Sequence, residues 1–209
     1  EPRLRYQLKN FPLDSLAQWM PKDFAWKGAL NADVQLDIPA AGPSGKVTID
    51  AGGGTLRVRN NNQWLDFPYQ TLELATTLAP KRIDTRLDFD GGKLGRLLLN
   101  AQIDPLAKDK TLAGDFTLSG LDISVARPFA PMVQKLNGRL NGNGRLSGTL
   151  LAPLVNGNVT LEGGEVAGAE LPMELHDLKV QALIAGESVQ LNGGWKSGST
   201  GQGSIGGQV

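Results

Sequence analysis

The sequence predicts an all-β chain with two short helices, its strands forming an elongated array with one apolar face. Three observations lead there. Glycine is 27 of 209 residues, nearly double the roughly 7% of average proteins, and follows no G-X-Y period. Apolar and polar residues alternate in many short segments bounded by turn residues, the signature of strands with one dry and one wet face. The same succession of elements occurs twice, about 110 residues apart.

Taken in order, the chain opens on the strand-like RLRYQL. Asp14–Met20 follows Pro12 and reads as a short helix, with Asp14 or Ser15 as its N-cap and Pro21 as its stop. Lys46–Asp50 puts Val47 and Ile49 on one face and Thr48 and Asp50 on the other; Thr55–Arg59 does so with Leu56 and Val58, and Thr71–Leu78 with Leu72 and Leu74. In Ile83–Phe89, Ile83, Leu87 and Phe89 oppose Asp84, Arg86 and Asp88. Leu97–Ile103 aligns Leu97, Leu99 and Ile103, and Leu112–Leu118 aligns Leu112, Phe116 and Leu118. Ile123–Lys135 reads as a second short helix, interrupted by Pro128 and Pro131. The remaining strands are Gly138–Leu146 with Leu140 and Leu146, Gly157–Leu161 with Val159 and Leu161, and Leu178–Ile184 with Leu178 and Val180. Ser188–Leu191 adds Val189 and Leu191, and Gly203–Val209 adds Ile205. These apolar positions are the expected lining of the dry face.

A shift of 110 places Leu8 on Leu118, Phe11 on Leu121, Leu13 on Ile123, Trp19 on Phe129, Gly28 on Gly138 and Asn31 on Asn141. Slightly different offsets pair Gly45–Ile49 with Gly157–Leu161 and Leu72–Leu74 with Leu178–Val180. The expected units are 1–110 and 111–209, together one continuous sheet. Repetition of one supersecondary pattern implies a stacked, elongated architecture. The strand-like first and last segments suggest a piece of a longer array, and no signal peptide is expected within it.

Composition excludes several classes. Twenty-one basic and 21 acidic residues give no net charge, which argues against capture of nucleic acid. There is no Cys and one His, so thiolate and multi-His metal sites are not expected, nor is any cofactor. No apolar run is long enough to span a bilayer as a helix. His176 beside Asp177 lacks a nucleophile motif and reads as an ordinary surface residue. Asp88-Phe-Asp90-Gly-Gly lacks the closing oxygens of a calcium loop and reads as a turn. Gly142–Gly148 has the wrong spacing for a nucleotide loop and reads as strand, its glycines facing a crowded interior. Asn-Gly pairs at 137, 141, 143, 156 and 192 read as turns or bends, those at 141 and 143 as bulges. Trp19 and Trp26 are expected to hold the first helix onto the sheet.

A sheet with one apolar face must bury it. Either two sheets close into a sandwich core, or one long sheet folds into a trough whose apolar inside takes up apolar guests. Acyl chains suit such a trough, since each CH₂ removed from water is worth about 0.8 kcal/mol.

The stretch FPLDSLAQWMPKDFAWKGALNADVQL, its echo from Leu121, and the pattern LxGxLxGxGxLxGTLxxPxxxGxVxLxxG over Leu136–Gly164 resemble the C-terminal half of the TamB family, and the wider AsmA-like group of bridge-like lipid transfer proteins. The resemblance covers essentially the whole chain. It implies a periplasmic, taco-shaped β-sheet with an apolar lumen, in a protein anchored in the inner membrane. It implies partnership with the outer-membrane barrel TamA, through a region outside this chain. Phospholipid acyl chains are the implied cargo, and nascent outer-membrane β-barrel proteins such as autotransporters the implied alternative. No catalytic motif comes with it, and no enzyme is expected. Three readings follow: a lipid conduit, a scaffold that templates incoming strands on open sheet edges, and a structural spacer.

Overall fold

The computed structural model describes residues 2–209. Strand β1 (Arg3–Pro12) leads into a 3-10 turn, Leu13–Trp19, and then β2 (Phe24–Lys27), β3 (Ala29–Asp37), β4 (Ser44–Asp50), β5 (Thr55–Asn60), β6 (Gln63–Pro68), β7 (Thr71–Ala79) and β8 (Arg82–Asp90). A tight turn at Gly92–Leu94 precedes β9 (Arg96–Ile103) and β10 (Leu112–Asp122). A 3-10 turn at Ile123–Phe129 leads to β11 (Lys135–Gly148), β12 (Pro153–Ala167), β13 (Leu175–Gly186), β14 (Ser188–Ser197) and β15 (Gly201–Gln208).

Twelve strands form one antiparallel sheet in the order β1-β3-β4-β7-β8-β9-β10-β11-β12-β13-β14-β15, curled but not closed into a barrel. The predicted alternating segments all lie on strands. Three strands were not predicted: β2, β3 and β6. Of these, β2 and β6 join β5 in a separate three-stranded sheet, β2-β5-β6. Both predicted helices are 3-10 rather than α, and the second stops at Phe129, short of the predicted Lys135. Pro12 occupies the first N-cap and neither Asp14 nor Ser15 caps it. The second is capped by Asp122, whose Oδ1 accepts from the Ser124 amide at 2.9 Å.

The same device launches both 3-10 turns. β1 bulges between Leu8 and Phe11 against β3, and β10 bulges between Leu118 and Leu121 against β11. In the first bulge Asn10 takes φ 52° and its amide donates to Asn31 Oδ1 at 2.9 Å. In the second Gly120 takes φ 56° and its amide donates to Asn141 Oδ1 at 2.7 Å. Asn and Gly are the residues that tolerate this left-handed backbone. The extra residue turns the chain out of the sheet.

Little of the chain is buried. The accessible surface is 12754 Å², against about 9,400 Å² expected for a compact monomer of this mass. Among the described residues the fully buried apolar side chains are Leu13, Ala51, Val58, Tyr69 and Leu94. This small core ties one rim of the main sheet to the three-stranded sheet. Tyr69 donates its hydroxyl to the Ala51 carbonyl at 2.6 Å and accepts from Trp26 Nε1 at 2.9 Å, with the Phe89 ring 5.8 Å away. Phe24 of β2 meets Phe129 edge-on at 5.1 Å. The small sheet thus packs over the strand ends along one rim of the large one. Trp26 ties β2 to Tyr69 rather than the first helix to the sheet, and Trp19, 71% exposed, fastens nothing.

The Asn-Gly pairs are corrected too. Those at 143, 156 and 192 sit in unbroken register within β11, β12 and β14. Asn141 faces the β10 bulge between Leu118 and Leu121, and Asn137 lies beside a further register shift.

Candidate functional site: the concave apolar face

Directly opposed residues of antiparallel strands project to the same side. The registers therefore trace rows across the sheet. One row runs Leu8, Ala32, Ile49, Leu74, Leu87, Leu99, Phe116, Gly144, Gly157, Ile184, Val189, through every strand from β1 to β14 in the main sheet. It holds no charged or polar side chain. One residue along, the row is Gln7, Asp33, Thr48, Ala75, Arg86, Asn100, Asp115, Arg145, Asn156, Ala185, Ser188. That row faces the other way and is polar.

Neighbouring rows repeat the contrast. Leu72, Phe89, Leu97, Leu118, Gly142, Val159, Ala182 and Leu191 form a second apolar row. Leu140, Leu161, Val180, Gly193 and Ile205 form a third. Val47 and Leu146 belong to a fourth, where Thr76 and Thr85 bond each other at 3.0 Å. Ile83, Ile103 and Leu112 form a fifth with Leu78, and Leu178 opposes Gly164. The predicted lining residues lie on this face except Leu56 and Val58. Those two belong to β5 of the three-stranded sheet, where Leu56 opposes Trp26 and Phe67, and Val58 opposes Phe24 and Leu65. The prediction omitted Leu8, Ala32, Val34 and Leu36, although the alternation of ALNADVQLD marks the last three. It also omitted Ile184, Val155 and Trp195.

The glycines show which side is concave. A Cβ on Gly144 would stand 2.6 Å from Phe116 Cε1, and one on Gly157 would stand 2.8 Å from the Gly144 Cα. The terminal strand β15 is open on both faces at its end: a Cβ on Gly206, on the polar side, would meet nothing nearer than Asn192 Oδ1 at 3.5 Å, and one on Gly207, opposite Leu191, nothing within 4 Å. Crowding marks the inside of the curl, so the apolar face is the inner one. Yet Leu74, Leu87, Leu99, Phe116 and Ile184 are only half-buried. The face is not the core of a closed sandwich; it lines an open trough.

The titratable groups perturbed from their ordinary values stand elsewhere. Glu174 and Glu165 hold Lys135 raised, at 2.8 and 3.3 Å. Glu165 is lowered by the Asn137 hydrogen bond and then by Lys135. Lys196 lowers Asp177, and burial raises Tyr69. His176 Nε2 donates to the Gly198 carbonyl, 3.0 Å away. Asp88 lies 3.6 Å from Arg96, and Asp90 Oδ1 accepts from the Gly92 amide at 3.1 Å. A depression of about 840 Å³ lies on the polar side of β13–β15 among Lys179, Gln181, Asn192 and Lys196. It is far from the apolar rows in character, and the unbroken apolar face is the better candidate.

Residues 2–161 match the family model described as TamB, N-terminal domain. The chain belongs to the TamB family. The matched model is that of the N-terminal domain, whereas the resemblance above was drawn to the C-terminal half. No solved structure matches the chain. TamB membership places it in the cell envelope and in the setting of the translocation and assembly module, whose TamB components work with TamA-type partners. Among the described residues no helix is long and apolar enough to cross a membrane.

Proposed function

We propose that the concave face is a conduit for phospholipid acyl chains, carrying lipid across the periplasm between the inner and outer membranes as part of the translocation and assembly module. The observation that carries this is the row from Leu8 to Val189, apolar across eleven strands. At about 4.8 Å per strand it runs roughly 50 Å. A 16-carbon chain exposed to water costs about 13 kcal/mol at 0.8 kcal/mol per carbon. A continuous aliphatic wall replaces most of that contact at every step. No charged group lies along the row to arrest a headgroup, so the surface favours passage over capture. The reading is of a carrier surface rather than an enzyme, and needs no cofactor or metal.

The test is native mass spectrometry with lipid extraction on the chain purified without detergent. Co-purifying phospholipid that is lost in Leu87→Asp and Leu99→Arg supports the conduit. A folded chain that carries no lipid and takes up no fluorescent phospholipid refutes it.

A second reading has its own observation. Among the described residues the outer edges of β1 and β15 are unpaired, and an unpaired edge can template an incoming strand of an outer-membrane protein. Proline at Gln7 or Ser204, on the polar side of β1 and β15, blocks that route and leaves the apolar rows intact.

A further inference from the structure

Where the three-stranded sheet packs over the strand ends along one rim of the trough, Arg127 lines two adjoining cavities. One, of about 490 Å³, sets an apolar wall of Val58, Leu65 and Phe67 from the small sheet and Leu136 from β11 against a polar one of Asn60, Asn61, Gln134 and Asn137. The other, of about 500 Å³, is walled by Lys22, Asp23, Arg59 and the Asn60–Asn62 turn. Its side chain is only 17% exposed. Nη2 donates to the Arg59 carbonyl at 2.7 Å and reaches Asp23 Oδ2 at 3.4 Å. Nε is buried and has no partner.

Three cations face one carboxylate here, and a buried guanidinium N–H lacks an acceptor. An anionic oxygen is the partner such a group fits best. Leu136 shares the apolar face of β11 with Leu140, so the apolar wall of this cavity adjoins the trough. We infer that this junction is a headgroup subsite, in which Arg127, Lys22 and Arg59 hold the phosphate of a glycerophospholipid while its acyl chains lie against Val58, Leu65, Phe67 and Leu136. The inference rests on the conduit reading and adds the place where the trough recognises a phosphate.

The test compares two probes of equal acyl content, dipalmitoyl phosphatidylglycerol and dipalmitoylglycerol, delivered to the purified chain and quantified as bound lipid. The wild-type chain should prefer the phosphate-bearing probe about tenfold, the change of 1.4 kcal/mol expected for one net charge-assisted contact. Arg127→Gln should bring the ratio to near one. So should the double variant Lys22→Gln with Arg59→Gln, which changes two surface side chains and guards against a folding defect in the first. Leu99→Arg should lower uptake of both probes and leave the ratio. A ratio unmoved by both cation variants, with lipid still bound, overturns the subsite and leaves the conduit standing. A wild-type chain that binds neither probe overturns both. Glycerol 3-phosphate titrated alone should bind at least about a hundredfold more weakly than the lipid; equal affinity overturns the lipid assignment in favour of a free phosphate site.

Discussion

Leu99 and Leu98 are neighbours on β9 that face opposite ways, and they make a matched pair for testing the conduit. Leu99 opposes Leu87 and Phe116 on the concave side, whereas Leu98 opposes Asp88 and Thr117 on the polar side. Full burial of a leucine is worth about 1.5–3 kcal/mol. Leu99 is half-buried, so Leu99→Arg should cost about 1 kcal/mol of the 5–15 kcal/mol typical of a domain. The variant stays folded because an open trough can hydrate the guanidinium. Transport is another matter. An arginine within hydrocarbon costs about 2.5–3.5 kcal/mol, and each 1.4 kcal/mol is a factor of ten. Acyl passage past position 99 should therefore slow by roughly a hundredfold, while Leu98→Arg leaves the rate within a factor of two or so. The assay is transfer of a fluorescent phospholipid between donor and acceptor vesicles bridged by the chain, with melting temperatures from circular dichroism alongside. Wild-type transfer by a well-folded Leu99→Arg chain, or equal slowing by Leu98→Arg, would refute the reasoning.

Other outcomes follow from the packing. Gly144→Ala puts a methyl group 2.6 Å from Phe116 Cε1 and should cost about 1–3 kcal/mol of overpacking, whereas Gly206→Ala should change urea stability by less than about 0.5 kcal/mol. Asn31→Ala and Asn141→Ala each release a bulge amide and should cost about 1 kcal/mol apiece in the same melts. Tyr69→Phe leaves the Ala51 carbonyl and the Trp26 indole N–H unpaired, and should cost about 1–3 kcal/mol, with Trp26 fluorescence reporting release of the small sheet. Glu165 is held below its ordinary value near 4.5 by Asn137 and Lys135. Its folded pKa is depressed, so its contribution is present above about pH 4.5 and is lost as the pH falls through the lowered value. Glu165→Gln should flatten the acid limb of melting temperature against pH.

Much of the large sheet was legible because a half-buried antiparallel strand writes its two faces into alternate residues. Ile83, Leu87 and Phe89 could hardly be read otherwise. Position in the sheet is not written that way. Leu56 and Val58 alternate as cleanly as Val47 and Ile49, yet β5 leaves the main sheet and pairs with β2 and β6. Alternation distinguishes two faces of a strand but not two sheets, which long-range pairing decides. β2 was missed because FAWK is four residues with no polar alternate among its first three. The 3-10 turns kept the places that Pro12, Pro21 and Pro131 give them, but the prolines bar the amide ladder of a longer helix. Trp19 misled because its size suggests burial, whereas its duplicate Phe129 is also exposed, at 57%. The Arg127 junction had no local signature: Asp23, Arg59 and Arg127 meet only because the small sheet folds back.

The glycines join the shape of the trough to the chemistry of its wall. A curl this tight brings inner-face Cβ positions into the adjacent strand, so some of them must be empty. An empty position on a polar or solvent-filled lining would simply be a gap. Here four of the gaps are roofed by a larger apolar side chain from a neighbouring strand. Phe116 covers Gly144, Leu161 approaches Gly138, Val159 lies beside Gly142 and the Trp195 ring lies over Gly203, all within about 3.1 Å of the Cβ position that each glycine lacks. The backbone curves where the glycines stand, and the hydrocarbon surface stays continuous because its neighbours lean across. A sheet with alanines at these concave positions would have to flatten. Flattening would splay the Leu8–Val189 row into a broad exposed patch, which soluble surfaces avoid. Curvature and apolar continuity are thus set by the same residues, which is why Gly144→Ala should impair lipid transfer as well as stability, while Gly206→Ala, on the same sheet but the other face, should impair neither.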